Sequence, residues 1–105
     1  MRYMLTAVLG LLALLTLATA TLGCGPVEST MLIVEADTAL HNAKTVEATK
    51  KSPYEYTAAE QYLHKAREEW GTSDFEYSID YATKARDLGI KARENALKKS
   101  HDEDE

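Results

Sequence analysis

Side chains able to do covalent or acid–base chemistry are few in this chain and widely spaced. There is one cysteine, Cys24, and there are three histidines, His41, His64 and His101. The histidines show neither HxxxH nor HExxH spacing, the patterns that aim two imidazoles at one zinc ion, so they are read as solvated or partly packed and no metal site is assigned. No glycine-rich phosphate loop occurs, and no serine has the strand-to-helix context that exposes a nucleophile. Carboxylates are plentiful, but most stand near a base on the same predicted helix, as Glu60 does to Lys65 and Asp80 to Lys84. Surface ion pairs account for that spacing. No catalytic residue is assigned, and the expectation is a protein that is not an enzyme and holds no cofactor. The one enrichment is aromatic: Tyr54, Tyr56, Tyr62, Trp70, Phe75, Tyr77 and Tyr81 fall within residues 54–81. Rings with polar tips suit protein interfaces and sugar polymers, and they also fill a core otherwise poor in large side chains. Both readings stay open.

Cys24 has a context of its own. Arg2 and the free amine form a positive start, Met4 to Ala20 is an apolar run without one charge, and Thr21, Leu22 and Gly23 lead into the cysteine. This resembles the lipobox of bacterial lipoproteins, although Thr21 stands where leucine is usual and Leu22 is larger than the usual small residue. The resemblance implies cleavage between Gly23 and Cys24 and a covalent diacylglyceryl and N-acyl lipid on Cys24. Gly25 after the cysteine, rather than aspartate, resembles lipoproteins sent to the outer membrane, with inner-membrane retention as the alternative. Two other readings remain. The run is close to the roughly 20 apolar residues that span a bilayer, so it could stay as a transmembrane anchor. It could also be an ordinary secretory signal that leaves a free thiol, which sits poorly with an oxidising envelope. In each case the single early base, Arg2, keeps the N-terminus inside and sends the rest outward.

Composition changes sharply at Cys24. All 17 Asp and Glu lie beyond it, with every Lys and Arg except Arg2, so the processed chain is more acidic than the whole chain's −5. An acidic balance argues against nucleic acid, and against peripheral attachment to anionic lipid, leaving the acyl chains to do the anchoring. About 80 residues remain, enough for one small domain. Packing alone must hold it, because no disulfide can form.

The elements that must position these residues are helices. Leu32, Ala36, Ala39, Leu40, Ala43 and Val46 recur at spacings of three and four, predicting a helix over about 30–51 that stops before Pro53. Thr57 and Glu60 form a capping-box pattern that starts a second helix over about 57–70, with Ala59, Tyr62, Leu63, Ala66 and Trp70 on one face and Gly71 placed to close it in a left-handed conformation. Ser73 to Glu76 repeats the capping pattern and starts a third helix over about 74–99, antiparallel to the second. Its stripe of small residues, Ser78, Ala82, Ala85, Gly89, Ala92 and Ala96, is flanked by Phe75, Ile79, Leu88 and Leu97. Such a stripe lets backbones approach closely, which makes it the expected central seam. The expected fold is therefore all-α: a small antiparallel three-helix bundle over 30–99, after a leader over 1–23 and a lipidated tether over 24–29, ending in an acidic disordered tail over 100–105.

From Ser52 onward a family resemblance can be given. The run Pro53-Tyr54-Glu55-Tyr56-Thr57-Ala58-Ala59-Glu60, followed by Tyr62-Leu63, Lys65-Ala66, Ser73-Asp74-Phe75, Ile79, Ala82 and Lys84-Ala85, resembles the bacterial domain of unknown function 4398. That resemblance covers about Leu32 to Ala96 and implies a small helical envelope protein, commonly a lipoprotein. The same stretch is similar to one tetratricopeptide-type helix hairpin, with Lys65 and Glu69 departing from that pattern. Together these imply a lipid-anchored helical module whose partner is an envelope protein or a second copy of itself. A structural link to peptidoglycan, for which no motif is present, and an accessory role in an envelope enzyme or transport complex are the alternatives.

Overall fold

The computed structural model describes residues 1–21 and 24–105, with side chains described outside 17–24. Gly23 and the cleavage junction therefore lie outside the described residues. The chain is all-α, in five helices among the described residues rather than the three long ones expected: α1 (Arg2–Thr21), α2 (Cys24–Thr45), α3 (Ala48–Lys51), α4 (Pro53–Gly71) and α5 (Phe75–Asp104). Every described side chain of α1 is exposed, Leu5, Leu9, Leu12 and Leu15 among them, so none of these apolar side chains is buried against the other helices. Among the described residues no helix is long and apolar enough to cross a membrane.

The six small residues of the expected seam, Ser78, Ala82, Ala85, Gly89, Ala92 and Ala96, are the buried residues of α5. Both α2 and α4 pack mainly on this helix and touch each other less. Paired contacts fix the directions. Ser29 meets Ser78, Glu35 meets Arg86 and Lys51 meets Ser100, so α2 and α3 run parallel to α5. Ala66 meets Ser78, Tyr62 meets Tyr81 and Ser52 meets Asn95, so α4 runs antiparallel to it. The alanine faces do suit one another: Ala36, Ala43, Ala59, Ala66, Ala85, Ala92 and Ala96 have no exposed surface. A Cβ at Gly89 would lie 3.0 Å from Ala39 Cβ and 3.2 Å from its carbonyl carbon, so glycine is what allows α2 this close.

Several boundaries differ from expectation, each for a local reason. Residues 24–29, expected as a tether, form the first turns of α2, because Ser29 is fully buried and hydrogen-bonded to Ser78 at 2.5 Å. The first predicted helix breaks at Glu47, whose φ of 63° is left-handed, after the helix end tightens with bonds from Val46 N to Ala43 O and Glu47 N to Lys44 O. The reversal turns Val46 onto the core and buries Ala48. α4 starts at Pro53, not Thr57: proline lacks the N–H that a first helical turn cannot satisfy, and its fixed φ suits that position. Thr57 is thus inside the helix.

α4 ends at Gly71, and its left-handed closing residue stands two positions beyond the expected glycine cap. Asp74 N donates to Glu69 O at 2.8 Å and Ser73 N to Trp70 O at 3.1 Å, the paired bonds of a Schellman motif, and the left-handed residue is Ser73 (φ 63°). Gly71 remains helical. Asp74 then stands at the N-cap of α5 without a side-chain cap bond. At the other end α5 runs on through the segment expected to be disordered. Ser100 bonds back to Ala96 O, and Lys51 reaches both Ser100 (2.6 Å) and Glu103 (3.3 Å) from α3.

Candidate functional site

The aromatic residues of 54–81 divide into five settings. Tyr56 is core: it is 9% exposed against Leu40, Ala59 and Leu63, and burial, with Glu60 nearby, pushes its phenol above the ordinary value. Phe75 is half-buried at the start of α5, where a Cβ at Gly25 would lie 3.4 Å from its own. Trp70 is 45% exposed and donates its indole N–H to Thr30 Oγ1 at 3.2 Å, tying the end of α4 to the start of α2. Tyr54 and Tyr77 are exposed, while Tyr62 and Tyr81 are half-buried and stacked on each other.

That stacked pair forms part of an open groove of about 690 Å³ between α4 and α5. Tyr54, Ala58, Gln61, Tyr62 and Lys65 come from α4, Tyr81 and Leu88 from α5. The two rings lie 6.0 Å apart at 24°, and Lys84 Nζ is 5.7 Å from each centroid. Asp80 fixes that ammonium at 3.0 Å and holds its pKa above the ordinary lysine value, keeping the cation in place beside the rings. Lys65 pairs with Glu68 (3.1 Å) and Glu69 (3.5 Å); the bond to Glu68 and its charge raise the Lys65 pKa and lower that of Glu68. A stacked aromatic pair with ammonium groups and an amide at the edge can take a planar or apolar side chain and hydrogen-bond around it. The aromatic count did not single out Ala58, Gln61, Lys65, Lys84 or Leu88. Their spacing could have found them, since 54, 58, 61 and 65 share one face of α4, and 81, 84 and 88 one face of α5.

A second polar site joins the three packed helices. Ser78 Oγ donates to Ala66 O at 2.8 Å, which uses its only proton, so the Ser29 hydroxyl must donate to Ser78. At the opposite end, Ser52 Oγ donates to Glu55 at 2.6 Å and receives Asn95 at 3.4 Å. The Ser52 bond, then the Glu55 backbone N–H, hold the Glu55 carboxyl below its ordinary pKa. The histidines stay apart: His64 faces Glu68 and His101 faces Glu105, each one helical turn away, and His41 borders a shallow cleft between α2 and α4. Among the described residues no three His, Cys, Asp or Glu side chains are grouped to hold a metal ion.

Alanine-lined seams and an aromatic groove between α4 and α5 define an all-α domain. The chain belongs to the family described as a domain of unknown function (DUF4398), whose profile matches residues 32–105 and so takes in the end of α5 as well as the groove. No curated protein and no solved structure gives a match.

Proposed function

We propose that this protein is a lipid-anchored, non-catalytic helical module of the cell envelope, held by Cys24 and acting through protein contacts at the α4–α5 groove. In this reading residues 1–23 are removed, the acylated Cys24 holds the chain in the outer membrane facing the periplasm, and α2, α4 and α5 remain as an antiparallel three-helix bundle with α3 as its turn. The observation that carries the interaction role is the Tyr62–Tyr81 stack, half-exposed in a groove that no other part of the described chain fills. Large aromatic side chains in such a setting supply much of the energy of protein interfaces.

The test is crosslinking in intact cells from a photoreactive residue at Gln61, compared between the natural chain and a Tyr62→Ala, Tyr81→Ala variant. A discrete adduct that the variant loses supports the reading. The same adduct in both, or none in either, removes the groove from it. Peptidoglycan is the second reading, favoured by the exposed Tyr54 ring in the same groove as Gln61, a pairing of ring and amide that suits a sugar. Sedimentation with purified peptidoglycan separates the two readings, since a protein module stays in the supernatant.

A further inference from the structure

The outward face of α2 carries an apolar stripe of its own. Ser29, Ala36 and Ala43 point into the bundle, and on the opposite side Val27, Met31 and Val34 follow at spacings of four and three, each 59% exposed. The stripe continues in Thr38, which is exposed and whose hydroxyl is taken up by Val34 O at 2.9 Å. Trp70 joins it from α4 through Thr30, which lies one turn from both Val27 and Val34. Of the acidic residues on the shoulders, Glu35 pairs with Arg86 at 3.1 Å and Asp37 with Arg67 at 2.9 Å, while Glu28 stands exposed at the edge of the face. Farther along α2 the outward face turns polar, at Asn42 and Thr45.

We infer that this face, Val27, Met31, Val34 and Trp70, rests in the headgroup region of the bilayer, so that the domain lies against the membrane instead of hanging from it. The inference builds on the Cys24 anchor proposed above. Two observations choose lipid over a second copy. First, the apolar residues crowd the half of α2 nearest Cys24, within about 15 Å of it along the helix axis, and fade beyond; a helix pairing with its own copy gains nothing from that gradient. Second, no slack separates anchor and fold. α2 begins at Cys24, Gly25 lies against Phe75 and Ser29 is buried, so the acyl chains would bring the first turns of α2 to the surface. A helix lying in the interface buries its apolar face by about 5–10 Å, a depth these side chains and an indole can occupy. The overall acidity makes zwitterionic lipid the matching surface.

Trp70 is the only tryptophan, so it reports on its own patch. Full-length protein made in cells is reconstituted into phosphatidylcholine–phosphatidylethanolamine vesicles, and Trp70 emission is read against aqueous iodide and against phospholipids brominated near the glycerol. A seated domain gives quenching by the brominated lipid and about a twofold or greater loss of iodide quenching. A Met31→Glu, Val34→Glu variant reverses both with an unchanged far-UV spectrum. Trp70 open to iodide and untouched by brominated lipid overturns the inference. Shielding from both quenchers also overturns it, pointing to a protein cover such as a second copy. Acyl label on Cys24 is measured separately: labelled protein without lipid quenching leaves the anchor standing and the seat refuted, and quenching without label does the reverse.

Discussion

Replacing Gly89 with alanine sets two effects of similar size against each other. In a helix interior alanine is favoured over glycine by about 1 kcal/mol, so an unobstructed position would gain stability. Here the new methyl would sit 3.0 Å from Ala39 Cβ, 3.2 Å from Ala39 C and 3.3 Å from Leu40 N. Carbon atoms prefer about 3.5–4.0 Å, so α2 must give way by several tenths of an ångström. Two of the three obstructing atoms are backbone, and α2 cannot yield there without opening the contacts of Ala36 and Ala43, both fully buried. Overpacking of this kind costs about 1–3 kcal/mol, leaving a net loss of about 1 kcal/mol after the helical gain. For a domain of this size that lowers Tm by about 4–8 °C. Gly71→Ala is the control, because nothing lies within 4 Å of its Cβ and its φ is not positive. It should raise Tm by a few degrees. Removing the Ala39 methyl in the Gly89→Ala background relieves only the shortest contact, so rescue should be partial. Thermal unfolding followed by far-UV circular dichroism reads all of these. If Gly89→Ala stabilises as much as Gly71→Ala does, the close approach of α2 to α5 is not what keeps glycine at this position.

Four further outcomes follow from the same contacts. Ser78→Ala strands the buried Ser29 hydroxyl and should cost about 1–3 kcal/mol, whereas Ser29→Ala, which leaves the Ser78 bond to Ala66 intact, should cost less; chemical denaturation of both and the double variant checks this. Ser73→Gly relieves a left-handed serine and should add about 1 kcal/mol by the same measurement. The bond from Ser52 holds the Glu55 carboxyl below the ordinary glutamate value, so it contributes stability above that ordinary value and loses it as pH falls through the folded pKa. Nuclear magnetic resonance titration should find the Glu55 midpoint depressed, and Ser52→Ala should move it back up. Cys24→Ser should abolish acyl labelling and membrane retention while leaving the far-UV spectrum intact, and a variant that still sediments with membranes would favour an uncleaved apolar helix.

What the sequence made legible was periodicity. The six small residues of α5 stand out by spacing alone and are its buried face, and Ala36, Ala39, Leu40 and Ala43 on α2 follow the same logic. The misread positions are those where several residues could do one job. Gly71 is the best left-handed residue nearby, yet Ser73 takes the role, because the bonds from Ser73 and Asp74 to Trp70 and Glu69 close the helix only at that length. Glu47 carries no breaker signal; its reversal is forced by the burial of Val46 and Ala48, a tertiary effect. Among the tyrosines, composition could not separate Tyr56, on the inward face of α4, from Tyr54 two residues earlier and nearly opposite. Ser29 has the composition of a spacer residue, and only the packing of α2 on α5 gives its buried hydroxyl the Ser78 oxygen as acceptor.

The parallel register of α2 on α5 bears on how the chain assembles. The α4–α5 hairpin closes across a three-residue turn, and its Ala66–Ser78 bond spans 12 residues, whereas Ser29 must wait for a partner 49 residues later. Loop-closure entropy thus favours the hairpin forming first, with α2 docking afterwards. Synthesis delivers the helices in the reverse order. α2 emerges early with two uncovered faces, its alanines on one side and Val27, Met31 and Val34 on the other, and stays so until the last helix is complete. During that interval it is the part of the chain most in need of a chaperone, and a truncation that removes α5 should turn it into an aggregation site.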